Sequence, residues 1–177
     1  RQHEIFARMG ADIPESTLVG WCCRAMKTLS PLIERIEADI MGSDLLHADD
    51  TPIRVLDRTM RDKGLGKGVS QGRIWAYVRD QRPWAGAAPP GAVYRLAPDW
   101  KEEHVLSHLA NARGILQADG YKGYAKLYEP EPDGVPRLRE AACWAHLRRD
   151  FHDFWASTKS EIAREALDRI GKFYDVE

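Results

Sequence analysis

Two textures of apolar spacing run along this chain. Residues 2–41 carry apolar side chains at helical spacing, whereas residues 44–98 carry them mostly in short, alternating or β-branched runs. QHEIFARM (2–9) predicts a helix that stops at Gly10, and IPEST opens a second one with Ser16 or Thr17 near its start, running through Leu18, Trp21, Cys22 and Ala25. Helix, glycine-containing turn and helix outline a helix-turn-helix, and equally a plain helical hairpin. A further helix is expected over 31–41, with Pro31 in its first turn and Leu32, Ile33, Ile36 and Ile40 on its apolar face.

Residues 44–57 predict a strand interrupted at Thr51-Pro52, because the residue before a proline is pushed to extended backbone. Gly64, Gly66, Gly68 and Gly72 give 58–72 the composition of a mobile loop. RIWAYVRD (73–80) alternates, with Ile74, Ala76 and Val78 on one face and Trp75 and Tyr77 on the other. A turn at 84–91 leads to a third strand, 92–98, and then to an amphipathic helix at 100–111 with Asp99 as its N-cap. GILQAD (114–119) is a short strand ending in a carboxylate, and 121–128 a short helix weakened by Gly123. A proline-rich loop at 129–137 precedes a strand, REAACWAH (139–146), that feeds the helix LRRDFHDFWA. The last helix, 160–174, has Ile162, Ala166, Ile170 and Phe173 on one face. Three consecutive strands, then helix, strand, helix, strand and helices, predict an α/β sheet with an antiparallel meander followed by parallel crossovers. The expected division is a helical segment at 1–42 and a sheet domain at 43–177.

Composition narrows the classes. With 177 residues, 44% hydrophobic and 30% charged, the chain is globular rather than disordered. Its 26 Lys+Arg against 27 Asp+Glu leave a formal charge of −1, so any nucleic-acid contact must come from local patches. Cys22, Cys23 and Cys143 make no disulfide framework and point to a reducing compartment. No apolar run is long enough to span a membrane. Arg1 falls within a helical pattern and Glu177 follows no tail, so the chain reads as a piece of a longer protein.

The candidate chemistry lies in carboxylates. Asp49, in HADDTP, and Asp119 each end an apolar strand, and open α/β sheets bind ligands beyond the carboxyl ends of their strands. If those strands are neighbours the carboxylates converge, and like charges so close call for a cation between them. Carboxylates with water suit Mg²⁺ or Mn²⁺, and two such ions support phosphoryl transfer. A purely structural alternative has Asp49 and Asp50 begin a turn before Pro52 while Asp119 caps the helix at 121. Asp49 and Asp50 cannot both enter a site, since adjacent strand residues face opposite sides, and alternation alone does not choose between them. CWAH (143–146) has metal-compatible spacing but no second ligand pair, so a buried cysteine and a helix-start histidine explain it as well.

Arg54, Arg58, Arg61, Lys63, Lys67 and Arg73 cluster among glycines against only Asp57 and Asp62, and suggest an arm for a phosphate backbone or an ordinary solvated loop. Arg148 and Arg149 can meet phosphates or pair with Asp150 and Asp153; Lys122 is a further basic candidate beside Asp119. No Ser or Cys nucleophile stands out, and GLGKG lacks the ending of a phosphate-cradling loop.

STLVGW, HADDTPIRVL, GRIWAYVRD, GILQADGYKGY, EAACWAHLRRDF and EALDRIGKFYDVE together resemble, in this order, the transposases of the bacterial insertion sequence sixty-six family. The resemblance implies a DDE-type transposase with a ribonuclease-H-like core, in which three acidic residues and two divalent ions, Mg²⁺ or Mn²⁺, cut DNA and join a 3′-hydroxyl to a target strand. It places the first acid on Asp49 and the second on Asp119, and puts Asp50 at a position that accepts Asp or Glu. The third, a glutamate expected in an Asn-Asn-x-x-Glu-Arg string, has no counterpart here, with Glu177 as runner-up. Also implied are element ends and target DNA as partners, a homo-oligomer on DNA, accessory proteins of the same element, and a cytoplasmic, nucleoid-associated place in a bacterium. Two rivals stand beside this reading: a metal-dependent nuclease of the same fold, and a non-catalytic DNA-binding or regulatory fragment.

Overall fold

A computed structural model describes residues 1–64 and 68–175, with the side chains of Arg58 and Met60 also set aside. The chain forms two compact units, Arg1–Asp39 and the remainder from Ile40 onward. In the first, α1 (Gln2–Arg8) ends before Gly10, whose φ of 85° turns the chain, and α2 (Glu15–Met41) follows. The two helices expected at 15–30 and 31–41 are one: α2 is continuous, with Pro31 inside it. Its expected apolar face is not a core face either, since Leu32, Ile33 and Ile36 are exposed and only Ile40 is buried.

The second unit is a five-strand mixed sheet of order β3-β2-β1-β4-β5, made of β1 (Leu45–Leu56), β2 (Val69–Arg79), β3 (Gly91–Ala97), β4 (Gly114–Ala118) and β5 (Leu138–Ala142). β1, β2 and β3 form the expected antiparallel meander, and β4 and β5 join in parallel. β1 runs unbroken through Thr51-Pro52, contrary to the expected interruption. Its pairing with β4 ends at His47–Gln117, so beyond that point β1 has one open edge, where a proline lacking its N–H is tolerated. Part of the expected loop at 58–72 is ordered as α3 (Arg58–Asp62) and as the start of β2.

Alternation along β1 and β2 puts Leu46 and Ala48 on the same face as Trp75 and Tyr77, and all four are buried. Leu116 and Ala118 of β4, Val93 and Ala97 of β3 and Leu138 of β5 extend this face. It is covered by Val105 and Leu109 from and just after α4 (Glu102–His108), and by Tyr124 and Leu127 from a 3-10 segment, Lys122–Tyr128, where a short helix was expected. Tyr77 meets His108 Nδ1 at 2.9 Å, giving its buried hydroxyl a partner, and burial raises its pKa.

Asp99 is not the N-cap of α4: that place falls to Lys101, and Asp99 instead meets Lys101 Nζ at 2.7 Å and His104 Nε2 at 2.6 Å. His146 lies in the first turn of α5 (Trp144–Thr158) rather than on a strand. α6 (Glu161–Tyr174) opens on Ser160, whose hydroxyl accepts from the Ala163 N–H. It buries Ala163 and Ile170, while Ile162 and Phe173, expected on the buried side, are exposed. That face follows i, i+3, i+4 and i+7 from Ala163, so Ala166 and Ile170 of the expected stripe lie on it and its two end residues do not.

Candidate active site

Gly114 sets the register that builds the site. Its φ of 101° suits glycine alone, and a Cβ there would fall 2.1 Å from the Asp44 carbonyl oxygen. This close approach lets the Ile115 N–H donate to that same oxygen at 2.8 Å and starts the parallel pairing Leu45–Ile115, Leu46–Leu116, His47–Gln117. The pairing ends there; Asp49, still within β1, and Asp119, just past the end of β4, each lie two residues further along, and both charges act on Asp50.

Alternation separates the two neighbours in HADDTP. Asp50 follows Leu46 and Ala48 onto the core face, where its side chain is only 5% exposed and accepts a hydrogen bond from the Arg73 guanidinium. Asp49 turns the other way and is 60% exposed. One of its oxygens, Oδ1, accepts from the Asp50 backbone N–H at 2.8 Å, which holds the carboxylate close to the strand. His146 Nε2 lies 3.8 Å from that same oxygen, and His146 Nδ1 is buried without a hydrogen-bond partner among the described residues. Asp119 is exposed too, and its Oδ1 accepts from the Tyr121 N–H at 3.0 Å in a turn closing over the end of β4.

Burial raises the pKa of Asp50, the Arg73 hydrogen bond and charge pull it down, and the charges of Asp119 and Asp49 push it up again. Three carboxylates therefore share one electrostatic neighbourhood, with a single guanidinium against the most buried of them. Arg73 is itself held: its guanidinium carbon lies 4.2 Å over the Trp100 ring, and Trp100 stacks on Tyr121 at 4.7 Å and 15°. The Tyr121 hydroxyl donates to the Trp100 carbonyl at 3.1 Å, so the segments after β3 and β4 are tied together beside the carboxylates.

The basic residues expected as one arm are dispersed. Arg54 is exposed on β1, Arg61 and Lys63 are exposed in and after α3, and Arg73 is committed to Asp50. Lys122 is exposed in the 3-10 segment, and Arg148 and Arg149 are exposed on α5. The Arg58 side chain, Lys67 and Glu177 lie outside the described residues. Sequence reasoning considered His146 only beside Cys143; its approach to Asp49 needed the β5–α5 junction, where the Cys143 N–H donates to the Ala118 carbonyl at 2.9 Å. Among the described residues, the group whose ligand atoms gather as for a metal is Asp99, Glu103 and His104. Lys101 already supplies a cation there, 2.7 Å from Asp99 and 3.8 Å from Glu103.

A family model described as Transposase IS66 family matches residues 1–177. Among curated proteins, the chain is 36% identical over 189 residues to the uncharacterized protein y4hP of Sinorhizobium fredii, covering 100% of this chain and 33% of that one. It is 31% identical over 179 residues to y4qI and 33% identical over 179 residues to y4jD of the same organism, both also uncharacterized proteins, covering all of this chain and 32% and 34% of theirs. The chain thus spans about a third of the length of these relatives. No solved structure matches it, and among the described residues no helix is long and apolar enough to cross a membrane.

Proposed function

The chain belongs to the IS66 transposase family, and from that premise we propose that it carries the first two acids of a DDE-type catalytic core with a ribonuclease-H-like sheet. The observation that supports this reading is the β1/β4 register: the parallel pairing ends at His47–Gln117, and Asp49, where β1 runs on past that pairing, and Asp119, just after β4, each follow it by two residues. The strand order, an antiparallel meander continued by two parallel strands, supports the sheet assignment.

The donor set suits a hard divalent cation. Asp49 and Asp119 are exposed, each spends one oxygen on a local backbone N–H, and among the described residues neither is neutralised by a strong basic partner in the way Asp50 is by Arg73. Mg²⁺ or Mn²⁺ held by Asp49 and Asp119, with a third acid from another part of the protein, would supply Lewis-acid stabilisation of the phosphoryl oxygens and acidify the attacking water. The chain's own residues do the rest. Asp50, bonded to Arg73, fixes the β1 backbone so that Asp49 stays on the outer face. Tyr121 orients Asp119 through its N–H. Arg148, Arg149 and Lys122, all exposed, provide charge for the phosphate backbone of element ends and target. Water attacks phosphorus in line and the P–O3′ bond breaks, freeing the 3′-hydroxyl of the element end; that hydroxyl then attacks a target phosphodiester and displaces the target's own 3′-oxygen, which takes up a proton.

A nuclease of the same fold would use the same pair, and strand joining separates the two. The full-length protein, given pre-cut element ends, Mg²⁺ and target plasmid, is expected to give joined products that are lost in Asp119→Ala. Hydrolysis of the ends without joining would overturn the transposase reading.

A further inference from the structure

The exposed seam of α2 has an order of its own. Val19, Cys22, Met26, Leu29, Ile33 and Ile36 follow one another at spacings of three, four, three, four and three, and Ile40 continues the series into the core of the second unit. This is the 3.5-residue repeat of a coiled coil, with Val19, Met26 and Ile33 at the a positions and Cys22, Leu29 and Ile36 at the d positions. A helix lying on a globular body follows 3.6 residues per turn, and a strict seven-residue repeat instead keeps a straight seam facing a second helix.

All six of these side chains are exposed, at 56% for Val19 and Met26, 47% for Leu29 and Ile36 and 39% for Ile33. The four charged residues between Val19 and Ile36, which are Arg24, Lys27, Glu34 and Arg35, all fall at the outer b, c and f positions. The e and g positions over the same stretch are Cys23, Ser30, Ala25 and Leu32, so two identical seams would meet without like charges opposed. Pro31 sits at an f position, farthest from the seam. A proline inside a helix costs about 3 kcal/mol, and a lone helix in water is marginal. A helix continuous through Pro31 with its apolar stripe in water is short of the packing that would offset this.

We propose that Val19–Ile36 of α2 is a homodimerisation seam, occupied by the same helix of a second copy in a parallel, in-register coiled coil. β-branched Val19 and Ile33 at a positions, with Leu29 at d, favour two parallel strands. The seam is ~27 Å long at 1.5 Å per residue, which gives a weak, reversible dimer suited to chains brought together on DNA. The proposal stands apart from the assignment of the catalytic carboxylates and does not need it.

Cys22 at a d position makes it testable, because in-register d residues face one another within disulfide reach. The chain carrying Cys23→Ser and Cys143→Ser is incubated with oxidised glutathione. It is expected to form a covalent dimer through Cys22 at least ~10-fold faster than a chain carrying Cys22→Ser and Cys143→Ser forms one through Cys23, because association raises the effective concentration of the facing thiols. Leu29→Glu, in the Cys22-only background, is expected to abolish this cross-link with the helical circular-dichroism signal retained. Equal rates through Cys22 and Cys23, or cross-linking unaffected by Leu29→Glu, would overturn the proposal. So would absence of cross-linking together with salt-sensitive loss of DNA binding in Leu29→Glu, which would assign the face to DNA.

Discussion

Arg73 donates to Asp50 on the core face of the sheet, while Asp49, the next residue back along β1, points out of the opposite face. The pair couples the buried side of the strand to the side where the proposed chemistry occurs. Removing the guanidinium leaves a carboxylate that is 5% exposed without its charged partner. Arg73→Ala is expected to lower stability by about 1.5–3 kcal/mol, as for loss of a hydrogen bond to a charged group, measured by urea denaturation. Because Arg73 is what pulls the Asp50 pKa down, the same variant should move it further up, read by carboxyl-carbon NMR. Asp50→Glu keeps the charge and the reach to Arg73, so activity should survive with a loss of about 1–3 kcal/mol from crowding the extra methylene.

The β1/β4 register depends on a glycine. Gly114→Ala forces a side chain into a φ of 101° and against the Asp44 carbonyl. Its dihedral strain alone should cost about 1–3 kcal/mol, and relieving the clash must pull the start of β4 away from β1. Hydrogen exchange at Ile115, whose N–H donates to Asp44, should quicken well before that of the β1–β2 pair. Unchanged protection at Ile115 would show that the register does not rest on Gly114.

Acid stability contains one separable contribution. Arg82 grips Asp80 through two side-chain hydrogen bonds, at 2.8 and 2.6 Å, and through its backbone N–H at 3.1 Å, and holds the Asp80 pKa at about 2. A carboxyl lowered in the folded state stabilises the fold above its unfolded value, 3.8, and loses that contribution as pH falls from there towards about 2. Arg82→Ala should return the Asp80 titration towards the ordinary aspartate value. It should also flatten the stability–pH curve in that window while leaving the curve above it parallel to the parent's.

Alternation made the sheet legible. Trp75 and Tyr77 share one face, as alternation indicates, and the structure shows it to be the buried one; the strand at 114–119 lies where its apolar run indicates. The sites of failure have local causes. Pro31 and Pro52 have the look of boundaries in the sequence, yet the first is carried within a helix and the second sits past the end of the β1–β4 pairing, where an edge is open. Asp99 has the composition of an N-cap, but Lys101 and His104 compete for its oxygens. The expected α6 stripe holds at Ala166 and Ile170 and fails at its ends, because Ile162 and Phe173 are apolar and exposed, and hydrophobicity alone does not mark the buried side. At the candidate site, alternation in the sequence shows that Asp49 and Asp50 face opposite sides, as they do. Which one faces outward is decided by Leu46 and Ala48, whose burial carries Asp50 inward. His146 and the Arg73–Trp100–Tyr121 stack arise from chain segments far apart in sequence, and no local pattern announces them.

The proposed partnership of Asp49 and Asp119 is tested most directly by cleavage of element-end DNA in the full-length protein, with binding to the same DNA measured alongside. Asp49→Ala and Asp119→Ala should each lose cleavage by at least ~100-fold, as for removal of a group acting at the transition state, while DNA affinity changes little. Asp50→Glu should cleave at a rate close to the parent's. Cleavage that survives Asp49→Ala and disappears in Asp50→Glu would contradict the account.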